Sequence, residues 1–265
     1  MERLELPLEI LLIIVKHVLA SARAEDRAKL YGLLAANHTT YALVSEKLYR
    51  TTVLHSSRMT NKFMDALNSS PRLAALTTHL WVASDHFEAF SYQLGSSSDA
   101  ILRILALAPN LQRLALPSQY FPRFAVPGGL PPIKFLMVTE DVFPPSTPDL
   151  PDLTTIHVYG PLWPTRVETI ISRCPNLRFV ICTIPYNSQT YVTPAAQCAE
   201  TLLKRLPSLV SIEFVSSRRI IISLRQFLAG YIGDQGYSSK ISTKYLSIED
   251  QDLPCQKWFQ ESIET

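Results

Sequence analysis

One pattern of apolar and polar positions recurs along the chain: proline, any residue, Leu or Ile, two residues, an apolar residue, one residue, an apolar residue. It reads Pro109-Asn-Leu111-Gln-Arg-Leu114-Ala-Leu116 and returns as Pro131-Pro-Ile133-Lys-Phe-Leu136-Met-Val138. Further copies are Pro151-Asp-Leu153-Thr-Thr-Ile156-His-Val158, Pro175-Asn-Leu177-Arg-Phe-Val180-Ile-Cys182 and Pro207-Ser-Leu209-Val-Ser-Ile212-Glu-Phe214. A looser copy begins at Pro71-Arg-Leu73 and reaches its strand at Leu80-Trp-Val82. A last strand, without the proline, is read over 245–248. The alternation closing each copy has the period of a strand, and proline, which has no amide to donate, fits the turn before it. Successive prolines stand 38, 22, 20, 24 and 32 residues apart, so the unit is hidden by its variable length.

Helical patterns fill the longer gaps. Asp99 is placed to cap a helix over 100–108 that stops at Pro109. Thr165-Arg-Val-Glu168 reads as a capping box opening a helix over 167–173. Thr193 precedes Pro194 at the start of a helix over 195–206, and a further helix is expected over 223–228. Segments around 122–151 are too rich in proline for helices. One strand with one helix cannot bury its own apolar face, whereas stacked copies can.

The phrase resembles the leucine-rich-repeat family, in particular irregular fungal arrays built from helix-Pro-Asn-Leu-x-x-Leu-x-Leu units. The resemblance implies an α/β solenoid, an irregular leucine-rich-repeat horseshoe over 56–265. Within each strand the last two apolar positions of the phrase point inward, and the alternating residues point to the concave face. That face would carry His79, Trp81, Arg113, Ala115, Phe135, Met137, Thr155, His157, Tyr159, Phe179, Ile181, Ser211, Glu213, Tyr245 and Ser247. Trp81, Phe135, Met137, His157, Tyr159, Phe179 and Ile181 are the candidate contacts for a partner, because contiguous exposed apolar and aromatic groups mark interaction sites. The alternative is that the 144–148 linker or the C-terminal tail covers them as core.

The first 55 residues read as two or three short amphipathic helices, too few for a strong core of their own. Leu6-Pro7-x-Glu9-Ile10, followed by Leu43-Val44-Ser45 and Leu48-Tyr49-Arg50-Thr51, is similar to an F-box. In that family the box is a small helical bundle that docks on the Skp-type adaptor of a cullin-RING ubiquitin ligase, while the repeats hold the protein to be ubiquitinated. Carried over by position, Leu6, Pro7, Ile10, Ile14, Leu43, Val44 and Leu48 would form or support the adaptor-binding face. A second reading keeps the segment only as a polar-faced cap on the repeats, in a scaffold protein with no ubiquitin role.

Composition changes this picture little. Apolar residues are 47% of the 265 and charged residues 18%, enough for a sizeable core, and 19 prolines against eight glycines suit many short elements. A net charge of +2 argues neither for nor against a nucleic-acid partner; the expected partners are proteins, with no nucleic acid and no membrane. Cys174, Cys182, Cys198 and Cys255 lack the C-x-x-C and His spacings of a zinc site and read as free buried thiols of a reducing compartment, cytoplasmic or nuclear. The short apolar run near the N-terminus lacks the marks of a signal peptide, and no stretch approaches the ~20 apolar residues of a membrane span. No hydrolase, phosphate-loop or dinucleotide motif occurs. His157 lacks a carboxylate neighbour, Arg218-Arg219 reads as a solvated pair before a helix, and the tail with Trp258-Phe259 as a cap on the last repeat. The expectation is a binding protein without catalytic residues, cofactor or metal.

Overall fold

The computed structural model describes residues 8–21, 38–54, 56–82, 95–117, 130–139, 148–160, 162–184, 189–232 and 237–245. Among them the strands are β1 (Thr51–Leu54), β2 (His79–Val82), β3 (Arg113–Pro117), β4 (Phe135–Thr139), β5 (Thr155–Tyr159), β6 (Phe179–Ile184), β7 (Ser211–Ser216) and β8 (Ile241–Tyr245). They make one sheet whose spatial order follows chain order, β1 to β8, with every neighbouring pair parallel. The helices are α1 (Leu8–Ser21), α2 (His38–Arg50), α3 (Ser57–Ser69), α4 (Pro71–Leu76), α5 (Gly95–Leu107), α6 (Pro164–Arg173), α7 (Val192–Arg205) and α8 (Arg218–Ile232). Parallel neighbours cannot be joined by a hairpin, so each strand is followed by a crossover that returns the chain to the same end of the sheet.

The recurring proline phrase is a hydrogen-bonded turn. The amides of Leu111, Leu153, Leu177 and Leu209 donate to the carbonyls of Ala108, Leu150, Cys174 and Leu206 at 3.1–3.2 Å. Each closes a turn with Pro109, Pro151, Pro175 or Pro207 at its second position, where the fixed φ of proline is already correct. The apolar residues on both sides of these turns are at most 5% exposed, so every turn is pinned at its two ends in the core. In the first copy the same bond, Leu73 to Ser70 at 3.0 Å, opens α4 with Pro71 at its first position.

Two further ladders join consecutive units. The Asn110 amide reaches back to the Ala75 carbonyl at 2.8 Å and Asn176 to Pro151 at 2.9 Å, while the Ser208 hydroxyl donates to Pro175 at 3.0 Å. The carbonyl just before each of β2 to β6 also accepts two amides from the next unit. Gln112 and Arg113 donate to Thr78, Lys134 and Phe135 to Gln112, and Thr154 and Thr155 to Lys134. Arg178 and Phe179 then donate to Thr154, and Val210 and Ser211 to Arg178. The strand starts are therefore equivalent even though crossover length varies, while the Pro131 copy differs at its turn, where the Ile133 amide donates to the Pro131 carbonyl at 2.7 Å. Insertions are absorbed between the strand end and the next turn.

The main core lies between the sheet and the helices. Leu80, Leu114, Leu136, Ile156, Val180 and Ile212 form one cross-strand row of it, in register and at most 1% exposed. Ile101, Ile104 and Leu105 of α5, Val167 and Ile170 of α6, Ala196, Ala199 and Leu202 of α7, and Ile221 and Leu224 of α8 pack in the same cluster. A second, smaller cluster of Val53, Trp81, Ala115 and Met137 contains strand residues only and occupies the opposite face. Gly160, just after β5, has φ 137, a conformation that side chains rarely tolerate.

Several element boundaries differ from the sequence expectation. Helix α5 begins at Gly95, so Asp99 lies inside it and does not cap it; burial of Ala100, Ile101, Ile104 and Leu105 outweighs the weak propensity of the polar first turn. Helix α6 begins at Pro164 with Trp163 as cap and no side-chain capping bond, so Thr165 and Glu168 form no capping box there. Helix α7 begins at Val192, which puts Pro194 at its third position, where the amide has no intrahelical acceptor to lose. Helix α8 takes in Arg218 and Arg219, because Ile220, Ile221, Leu224 and Leu228 lie on its buried side. The last described strand is 241–245, not 245–248: Tyr245 ends it, and Leu246 and Ile248 lie outside the described residues.

Candidate protein-interaction surfaces

Helix α1 exposes large apolar side chains on one side. Ile10, Ile13, Ile14 and Val18 are 44%, 63%, 46% and 37% exposed, while Val15 is 1% exposed. Positions three, four and eight apart share a helix face, so this is a continuous apolar stripe. Helix α1 packs on α2, and α2 runs without a break into β1 and packs on α4. Strand β1, grouped with the helical segment on sequence, is thus the first strand of the sheet.

Of the residues expected at the adaptor face, Ile10 and Ile14 lie in the exposed stripe. Leu43 and Leu48 are half-buried, and Val44 is fully buried, so Val44 supports the helix pair without reaching its surface. Leu6 and Pro7 lie outside the described residues. Ile13 and Val18 belong to the stripe and were missed. Their spacing with Ile10 and Ile14 is the signal that finds them.

The sheet face opposite the helices carries three cross-strand rows set by register, the third running from Pro117 through Tyr159, Thr183 and Val215 to Lys244. The first is Thr51, His79, Arg113, Phe135, Thr155, Phe179 and Ser211. The second is Val53, Trp81, Ala115, Met137, His157, Ile181, Glu213 and Ser242. The alternation expected from the phrase holds for these strands, but the exposure does not. Trp81, Met137 and His157 are 6%, 2% and 3% exposed, and Phe135 and Tyr159 pack against the cluster that Trp81 and Met137 enter. Phe135, Tyr159 and Ile181 are half-buried, and Phe179 is exposed. Solvent reaches the β5–β7 end of this face more than the β1–β4 end.

Tyr245 is a clear correction. Register pairs it with Ser216 and Ile184, on the helix side, where Arg225 of α8 lies 5.5 Å over its ring and donates to Thr243 at 2.8 Å. Ser242 takes the opposite-face position in β8.

Among the described residues, the titratable groups with shifted pKa values owe the shift chiefly to burial. His157 Nε2 is 2.8 Å from the Thr183 hydroxyl, and burial holds the ring neutral by pushing its pKa down to about 3. His79 is lowered to about 4, chiefly by burial and then by the charges of Arg113 and Arg50. Burial raises the Cys174 and Cys182 thiols to about 12, and raises that of Cys198 as well, so all three are unreactive in place. Among the described residues no three His, Cys, Asp or Glu side chains converge as metal ligands. A cavity of about 220 Å³ between α3 and α5 is lined by Met64, Asn68, Arg103, Ala106 and Leu107, without an acid–base pair. Among the described residues no helix is long and apolar enough to cross a membrane. No family model and no curated protein matches this chain.

Proposed function

We propose that the chain is a non-enzymatic substrate receptor of a Skp-cullin-F-box type ubiquitin ligase, with α1 and α2 docking the adaptor and a leucine-rich-repeat solenoid presenting a surface to the protein to be ubiquitinated. The observation that carries the reading is the apolar stripe of Ile10, Ile13, Ile14 and Val18, exposed on a helix at one end of the sheet. A helix with an exposed apolar stripe is a form in which one protein is laid against another. The F-box resemblance of the same segment says which partner. Support for the solenoid is the strict sequential order of parallel strands, the repeated proline turn, and the Asn and Ser ladder between turns.

A second reading has its own observation. Helix α2 continues directly into β1 and buries Val44, so the helical segment also closes the first end of the sheet. In that reading the helices are a terminal cap and the protein is a scaffold. Co-purification with a Skp-type adaptor separates the two. Wild type should retain the adaptor, and Ile10→Asp with Ile14→Asp should lose it while keeping the wild-type far-ultraviolet CD, because both side chains are exposed. Absence of adaptor from the wild-type sample, or retention by the double variant, overturns the receptor reading.

A further inference from the structure

The carbonyl ladder before the strands puts Arg50, Thr78, Gln112, Lys134, Thr154, Arg178 and Val210 in equivalent positions along one edge of the sheet, where each strand begins. No carboxylate stands among them, nor among the seven residues of the first cross-strand row beside them. The chain as a whole is nearly balanced, with 25 basic and 23 acidic residues, so the sign of this edge is not inherited from composition. Arg50, Lys134 and Arg178 are exposed and make no ion pair among the described residues. Among the described residues, Asp152 stands on the turn below and Glu213 in the second row of the face.

Aromatic rings line the same edge. The Arg178 guanidinium lies 5.7 Å over the exposed Phe179 ring, and Arg113 lies 5.8 Å over Phe135. The Arg178 guanidinium, held over its ring, keeps its position without a carboxylate partner among the described residues, and its outward side remains available to an anion. After burial, the charges of Arg113 and Arg50 both act to lower the His79 pKa.

We propose that this edge is a docking site for an extended acidic polypeptide segment with apolar side chains between its carboxylates. The proposal refines the reading of the sheet as a partner surface and rests on it, but it does not depend on the adaptor. Neighbouring strands are ~4.8 Å apart, so Arg178 and Lys134, two strands apart, are separated by about 10 Å, and Lys134 and Arg50, three strands apart, by about 14 Å. An extended chain advances ~3.3 Å per residue with alternating faces, so carboxylates four residues apart share one face and recur every ~13 Å, within reach of the long Arg and Lys side chains. Three cations at these intervals are too sparse for a continuous phosphate backbone, where each cation neutralises one closely spaced charge. The half-buried Ile181 and Tyr159 and the exposed Phe179 favour apolar side chains over sugar and phosphate.

The test uses the full chain and a fluorescent peptide of about ten residues, with glutamates four residues apart and phenylalanines midway between them on the same face, in fluorescence anisotropy. The expected result is saturable binding weakened at least ~10-fold by Lys134→Glu with Arg178→Glu, and about as much by replacing the glutamates with glutamine. The milder Lys134→Gln with Arg178→Gln should fall between, and thermal melting should show all forms folded. Equal binding of the acidic and glutamine peptides, or of wild type and the charge-reversal variant, overturns the proposal. Tighter binding of a single-stranded oligonucleotide of about twenty nucleotides than of the peptide also overturns it, in favour of a nucleic-acid surface. Failure here together with intact adaptor co-purification removes this inference and leaves the receptor reading in place.

Discussion

At the scale of the residue, burial decides what each group can do. His157 stands on the sheet face opposite the helices, 3% exposed, with Nε2 against the Thr183 hydroxyl and its pKa pushed down to about 3. Its ordinary value is about 6.5, so above that both folded and unfolded chains are neutral and stability does not depend on this ring. Below it the unfolded chain takes up a proton that the folded chain refuses, and stability falls with pH until the folded value is reached. A fully buried group of this kind costs at most about 1.4 kcal/mol per pH unit in that window. His79 shifts in the same direction and adds a smaller, solvent-screened share. The urea midpoint is therefore expected to fall between pH 7.5 and 5.5. His157→Gln, which keeps an amide within reach of Thr183, should lose clearly less stability over that interval. An identical fall in the variant would assign the pH dependence to other groups.

At the scale of the element, the turn is the unit that repeats. Asn176 donates to the Pro151 carbonyl from an exposed position, so Asn176→Ala should cost about 0.5–1 kcal/mol, the range of a single net hydrogen bond. Leu177 next to it is fully buried, and Leu177→Ala should cost about 2–5 kcal/mol through lost burial and the cavity left behind. Thermal melts of the two variants check that order. Equal costs would mean that the inter-turn bond matters as much as the core, contrary to this account.

Six strands were legible in the sequence because the proline turn and the alternation after it coincide, as in Pro175 to Cys182. The rest lacked one of these signals. Strand β8 follows the short 3-10 turn Tyr237–Lys240 with no proline, and Lys240 instead reaches the Leu209 carbonyl at 2.9 Å. Helix α3 went unread, although Ser56 caps it and Thr60, Phe63, Met64 and Leu67 have helical spacing on its covered side. Helix α8 was cut short because Ile220-Ile-Ile222 is a β-branched run, and packing overrode that local preference. Burial of Trp81 and Met137 was not readable, since alternation gives the face on which a residue lies but not what covers it.

At the scale of the whole molecule, two surfaces lie on different parts of one continuous fold. The stripe on α1 is set apart from the edge formed by Arg50, Lys134 and Arg178, with α2 and β1 joining them directly. In the proposed receptor reading, one surface would hold the ligase and the other its target. Hydrogen–deuterium exchange of the full chain with a purified Skp-type adaptor tests the arrangement most directly. The account predicts adaptor-dependent protection over Leu8–Ser21 and His38–Arg50, with β2 to β8 unchanged. Protection confined to the sheet, or none anywhere at saturating adaptor, would contradict it.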